Sequence, residues 1–178
     1  MKKLFVVIVM AFTCVSAMSQ IKNAEETLSN AELFSVKSGT LIEKQFIDIG
    51  KVKSVEVKVL KIKDLNDDKT ISALRFEYEA VGKYSSDTKI AMLDIDEIEG
   101  LVISIKNIQS KVFPSTPETY TEVTYRSRSG FEAGAFYSDS KWKTYLKLEK
   151  YDSDSFVFLT QEDLTTLLGL IEQAKLKM

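Results

Sequence analysis

The sequence contains no histidine and a single cysteine, Cys14, which lies within an apolar N-terminal segment. A Ser-His-Asp triad, a Cys-His nucleophile, a His-ligated zinc, an iron–sulfur cluster and an internal disulfide framework all require residues that are missing here. Glycine and proline are also scarce, at seven and two of 178 residues, so neither a collagen-like repeat nor a long flexible tract fits. No apolar run reaches the roughly 20 residues that a membrane helix needs. What is present is ordinary globular usage, 44% hydrophobic and 28% charged, in a chain of one-domain length.

Residues 1 to 20 have a basic start, Lys2-Lys3, an apolar core from Leu4 to Phe12, and a small polar stretch from Cys14 to Gln20. This is the layout of a bacterial secretory signal. Ala17 and Ser19 supply the small side chains for cleavage between Ser19 and Gln20, with cleavage before Met18 as second choice. The expectation is a signal peptide over 1–19 and one exported domain over 20–178, periplasmic or extracellular. A lipid anchor at Cys14 is disfavoured by Phe12 and Thr13, which stand where lipoprotein signals carry small residues. Loss of Lys2 and Lys3 leaves 22 basic against 26 acidic residues, a charge of −4 that makes nucleic acid a poor partner.

Downstream the grammar is that of strands. Leu33–Lys37 reads as a first strand, followed by Thr40–Ile49, closed by Gly50. In Lys53–Lys63, Val55, Val57 and Val59 share one face, while Leu60 and Ile62 suggest a change of register, such as a bulge. After a turn over Leu65–Lys69, Leu74, Phe76, Tyr78 and Ala80 alternate with polar residues. A turn over Tyr84–Asp87 leads into Lys89–Leu93. The period then changes to 3.6: Ile98, Leu101, Val102, Ile105 and Ile108 form one stripe, and Asp94 with Glu97 has capping-box spacing, predicting a helix over about 95–110.

The pattern then recurs. Thr119–Arg126, Phe131–Tyr137, Lys141–Leu148 and Phe156–Leu159 read as strands, and a helix over about 161–176 is capped by Thr160 and Asp163. At an offset of 66 residues Leu93 meets Leu159, Ile98 meets Leu164, Leu101 meets Leu167 and Ile105 meets Ile171. The fold class is therefore α+β, mostly antiparallel, with a duplicated ββββα unit over about 40–112 and 118–178 and two helices packed on the sheet.

The acids Asp94, Asp96, Glu97 and Glu99 could in principle work as paired carboxylates or hold calcium, but their place at a helix start reads as capping. Asp64, Asp67 and Asp68 lack the glycine and distal glutamate of an EF-hand and read as a solvated hairpin turn. Lysines 51, 53, 58, 61 and 63, and 141, 143, 147 and 150, form two basic stretches along strands that could bind an acidic polymer but read by default as solvated sheet faces that protect edge strands. Neither metal nor cofactor is expected. Trp142 alternates with Thr144, Leu146 and Leu148 and should face inward; Tyr137 and Tyr145 are the aromatics expected to be exposed. The small run Ala133-Gly134-Ala135 leaves room for packing by a helix or by Trp142. With Arg126, Arg128 and Glu132 these rings form the candidate contact set for a partner, either an envelope or extracellular protein or a glycan.

Leu93-Asp94-Ile95-Asp96-Glu97-Ile98 entering a helix, then Tyr120–Arg126 with Gly130-Phe131, resembles small exported proteins of Bacteroidetes-type bacteria that have no assigned function. The resemblance spans most of the mature chain and implies no activity or functional residues. The expected function is non-catalytic binding. Two alternatives are a small carboxylate-dependent glycan hydrolase using Glu122 or Glu132, and a carrier of an apolar ligand held in an interior cavity.

Overall fold

The computed structural model describes residues 28–82 and 86–178. The export signal, its cleavage point at Ser19 and Gln20, Cys14, and the start of the turn expected at Tyr84 lie outside the described residues. The elements run α1 (Asn30–Ser35), β1 (Ile42–Val52), β2 (Val55–Asp64), β3 (Thr70–Val81), β4 (Ser86–Asp94), α2 (Ile95–Asn107) and a wider π-helical turn (Ile108–Val112). They continue with β5 (Thr121–Arg126), β6 (Glu132–Ser138), β7 (Lys141–Lys147), a 3₁₀ turn (Ser153–Ser155), β8 (Phe156–Leu159) and α3 (Gln161–Lys175). The strands form two antiparallel four-stranded meanders, β1-β2-β3-β4 and β5-β6-β7-β8, each followed by a helix. This is the α+β, twice-repeated ββββα arrangement that the pattern predicts.

Both long helices start as expected. Asp94 and Glu97 form a capping box on α2, and Thr160 and Asp163 form one on α3, so the first N–H groups of each helix find acceptors. The matched stripes are buried in both copies: Ile98, Leu101 and Ile105 on α2, and Leu164, Leu167 and Ile171 on α3. They share one core with Val55, Val57, Val59, Leu74 and Phe76 of the first sheet and Ala133, Ala135, Leu146 and Val157 of the second. Phe76 and Phe131 stack with ring centroids 5.0 Å apart, which joins the two sheets at the centre of the core.

Three expectations need correction. Leu33–Lys37 is not a strand: Leu33 and Phe34 belong to α1. Ser29 and Glu32 form its capping box, and the Asp94 carboxylate accepts the N–H groups of Asn30 and Ala31 at 2.8 and 3.0 Å. Tertiary capping thus stabilises a helix too short to form alone. Leu60 and Ile62 do not mark a bulge in β2, which pairs with β3 in unbroken register. They point to the opposite face, where they pack with Ala31, Ala73 and Met92 in a second, smaller core beneath α1. The bulge lies in β1 between Asp48 and Gly50, and Gly50 sits inside that strand instead of ending it. A Cβ on Gly50 would come within 2.5 Å of Leu170, so its absence lets α3 lie close on β1.

Asp64 also departs from the solvated-turn reading, being fully buried. Its carboxylate accepts hydrogen bonds from Lys37 Nζ at 2.5 Å, Asn66 N at 3.0 Å and the Thr40 hydroxyl. Those donors, Lys37 foremost, hold the carboxyl well below the usual carboxylate range. The loop before β8 reaches back to the first sheet: the Glu149 carboxylate accepts the Ile90 N–H of β4 at 3.2 Å, and Asp152 pairs with Lys89 at 2.5 Å.

Candidate functional site

Alternation divides the second sheet into two unlike faces. The inner face carries Val123, Tyr125, Ala133, Ala135, Leu146 and Val157 into the core. On the outer face Glu122, Thr124 and Arg126 stand opposite Phe136, Gly134 and Glu132, and these in turn stand opposite Lys143, Tyr145 and Lys147. Phe156 and Phe158 of β8 pair with Lys147 and Tyr145 and complete that face.

The outer face is a continuous aromatic cluster. Phe136 lies 6.3 Å from each of Tyr120, Tyr145 and Phe158, at interplanar angles of 37°, 45° and 72°. Tyr145 is 5.2 Å from Phe156, and Phe156 stacks on Phe158 at 6.4 Å. Tyr120 is 63% exposed and Phe158 56%. Exposed rings gathered in one place, unlike apolar residues scattered singly, mark a contact surface. Cations lie over the rings: Lys143 Nζ is 5.7 Å from the Phe136 centroid and Lys147 Nζ 5.1 Å from that of Phe156. Beyond β8 the face turns into a groove of 580 Å³ whose lining includes Tyr78, Lys89, Asp154, Phe156 and Phe158.

The structure distributes the expected contact residues over three places. Tyr145 lies on the aromatic face but is 7% exposed, correcting the expectation that it is open to solvent. Its ring lies over Gly134, where a Cβ would meet the Tyr145 Cζ at 2.9 Å, and its hydroxyl is 3.1 Å from Thr124 Oγ1. Burial accordingly raises the Tyr145 phenol above its ordinary value. The small-residue run thus admits Tyr145 on one face, while Ala133 and Ala135 pack into the core on the other. Arg126 and Glu132 also lie on the outer face, where Arg126 Nε donates to the nearly buried Glu132 carboxylate at 2.9 Å.

Trp142 faces inward as expected, packs against the core and donates from Nε1 to the Ser115 carbonyl at 2.9 Å. Tyr137 is half-buried beside it, with ring centroids 5.3 Å apart. Arg128 belongs to neither face. Its guanidinium reaches Asp96 at 2.6 Å and Asp94 and Glu97 at 3.6 Å, and its backbone N–H donates to Glu97 at 2.7 Å. The remaining acid of that cluster, Glu99, pairs with Lys175 at 3.2 Å. Asp94, Asp96 and Glu97 therefore cap helices and clamp the β5–β6 turn to α2, while Glu99 ties α2 to α3. Among the described residues, no group of three or more acids is placed to hold a metal ion.

Four rings of the face, Tyr120, Phe136, Phe156 and Phe158, are absent from the contact set read from sequence. Alternation carried through Ala133-Gly134-Ala135 puts Phe136 opposite the core, and the run Phe156-Val157-Phe158-Leu159 does the same for its two phenylalanines. No protein-family model matches the chain, and neither does any curated protein or solved structure. Among the described residues, no helix is long and apolar enough to cross a membrane.

Proposed function

We propose that the protein is an exported, non-catalytic binding module whose contact surface is the outer aromatic face of the second sheet. One observation carries this reading: five rings line a sheet face that no other element covers among the described residues, with Tyr120 and Phe158 more than half exposed. Exposed aromatics next to a buried, hydrogen-bonded partner such as Tyr145 have the anatomy of binding hot spots. The disposition of the acids supports the same reading. Glu122 stands opposite Phe136 and Glu132 opposite Arg126. That is four residues apart along the strands, about 13 Å of rise, against the roughly 5 to 10 Å that a glycosidase pair spans. The signal-like residues 1–19 support export.

The test is capture from detergent-solubilised cell envelopes after brief crosslinking, comparing the chain with a Phe136→Ser, Phe158→Ala variant. A stoichiometric binder retained by the chain and lost by the variant is the expected result. Equal capture by both would sink the assignment of the face. N-terminal sequencing of the exported chain should begin at Gln20.

A further inference from the structure

We propose that the ligand of this face is an acidic polysaccharide whose sugar rings bear carboxylates, a proposal that rests on the binding-module reading above. The argument is one of charge complementarity and its placement. Along the outer face, the strands carry four cations, Arg126, Lys141, Lys143 and Lys147, against two acids, Glu122 and Glu132, with a third acid, Asp139, in the turn between β6 and β7. Glu132 is nearly buried and neutralised by Arg126, and Glu122 is tied to the Tyr120 hydroxyl. The chain as a whole has the opposite bias, with 26 acids against 24 bases. A local positive excess on an acidic protein favours an anionic ligand at this face.

The position of the cations narrows the class. Lys143 and Lys147 hold their ammonium groups 5.7 and 5.1 Å from ring centroids, over the apolar surface itself and not outside its rim. Lys147 Nζ donates to the Lys150 carbonyl, and Lys143 pairs with Asp139 at 2.7 Å, so among the described residues Lys147 has no carboxylate within ion-pair distance and Lys143 has one exposed partner. A ligand lying on these rings must therefore present a negative charge within a few ångströms of its own apolar surface. A uronic acid does so: its axial C–H groups sit on the negative face of an aromatic ring while the carboxylate stands at the edge of the same pyranose. An acidic peptide carries its apolar contact and its carboxylate on different side chains, which suits cations set around the cluster. Nucleobases need a flat stacking platform, but Phe136 is tilted by 37° to 72° from its neighbours.

The experiment is native affinity electrophoresis of the full chain through gels containing polygalacturonate, alginate or hyaluronan. Methyl-esterified polygalacturonate and neutral dextran serve as controls. The expected result is retardation by at least one polyuronate, weakened about tenfold or more by Phe158→Ala and by Lys143→Ala with Lys147→Ala, and weakened by added salt. Circular dichroism of each variant checks that it remains folded. No retardation by any of the three polymers overturns the proposal, as does equal retardation by the esterified polymer. A phage-displayed peptide library panned on the chain separates the two readings. Peptides lost on Phe158→Ala, together with no polyuronate binding, would overturn the polysaccharide and keep the face. No binder of either kind would count against both.

Discussion

The outer faces of the two sheets differ, although the sheets share one topology. On the first sheet α1 lies over Leu60, Ile62, Ala73 and Met92. The rest of that face is a charged lattice in which Lys58 reaches Glu77 at 2.8 Å and Glu56 at 3.0 Å, while Arg75 pairs with Glu77 and lies 5.4 Å from the Phe46 ring centroid. On the second sheet no element covers the rings among the described residues, and the segment before β5 is anchored on the inner side, where Ser115 accepts the Trp142 N–H. A meander followed by a helix buries only one sheet face, and the other must be covered by some additional element. The first unit takes that cover from the segment that precedes it, whereas the second has none among the described residues.

The comparison can be broken most forcefully at the shared core. Phe131→Ala should cost about 3–5 kcal/mol, measured by urea denaturation. Because the two units share that core, Trp142 fluorescence and far-ultraviolet circular dichroism should report one transition; separate midpoints would show two independent units. On the covered face, Leu60→Ala should cost about 2–5 kcal/mol and speed proteolysis around α1. Asp94→Ala should cost about 1–3 kcal/mol and accelerate exchange of the Asn30 and Ala31 amides, which it caps.

Titration sharpens the contrast next. The Asp64 carboxyl is held below its unfolded value by Lys37 and Thr40, so the stabilisation it gives is present above about pH 4 and lost as pH falls below that. Asp64→Asn should flatten the acid limb of stability against pH. At the alkaline end burial pushes the Tyr125 phenol up to about 12, with the Glu97 charge adding to the shift. Its contribution is therefore full below about pH 10 and lost as pH rises toward 12, a slope that Tyr125→Phe should remove. The smallest effect is expected on the open face, where Phe158→Ala should change stability by no more than about 0.5 kcal/mol. A loss as large as that of Leu60→Ala would mean that the ring is structural.

Elements built by local rules were legible in the sequence. The two capped helices, the second meander and the inward Trp142 follow from period, capping spacing and alternation. Features set by distant residues were not. Helix α1 depends on Asp94, 64 positions away from Asn30, and its short apolar run reads equally well as a strand. The double-faced burial of β2 depends on that helix. Asp64 is buried because Lys37 and Thr40 close over it. Arg126 and Glu132 lie together on the outer face, as cross-strand partners, but Tyr145 was expected to be exposed because its cover is the cross-strand gap at Gly134. Phe136 and Phe158 were accessible to the same alternation that placed Trp142; their weight as a cluster emerges only when four strands are laid side by side.

The contact between Glu149 and the Ile90 N–H has a further consequence for how copies of this protein behave in a crowd. β4 ends its sheet, and a terminal strand offers a template on which another chain can grow a fifth strand. Here a carboxylate already occupies one donor of that lane, and the Asp152 loop stands beside it on Lys89. An incoming strand would have to expel both before registering. The β4 edge is therefore guarded against strand addition by carboxylates that the second unit lends to the first.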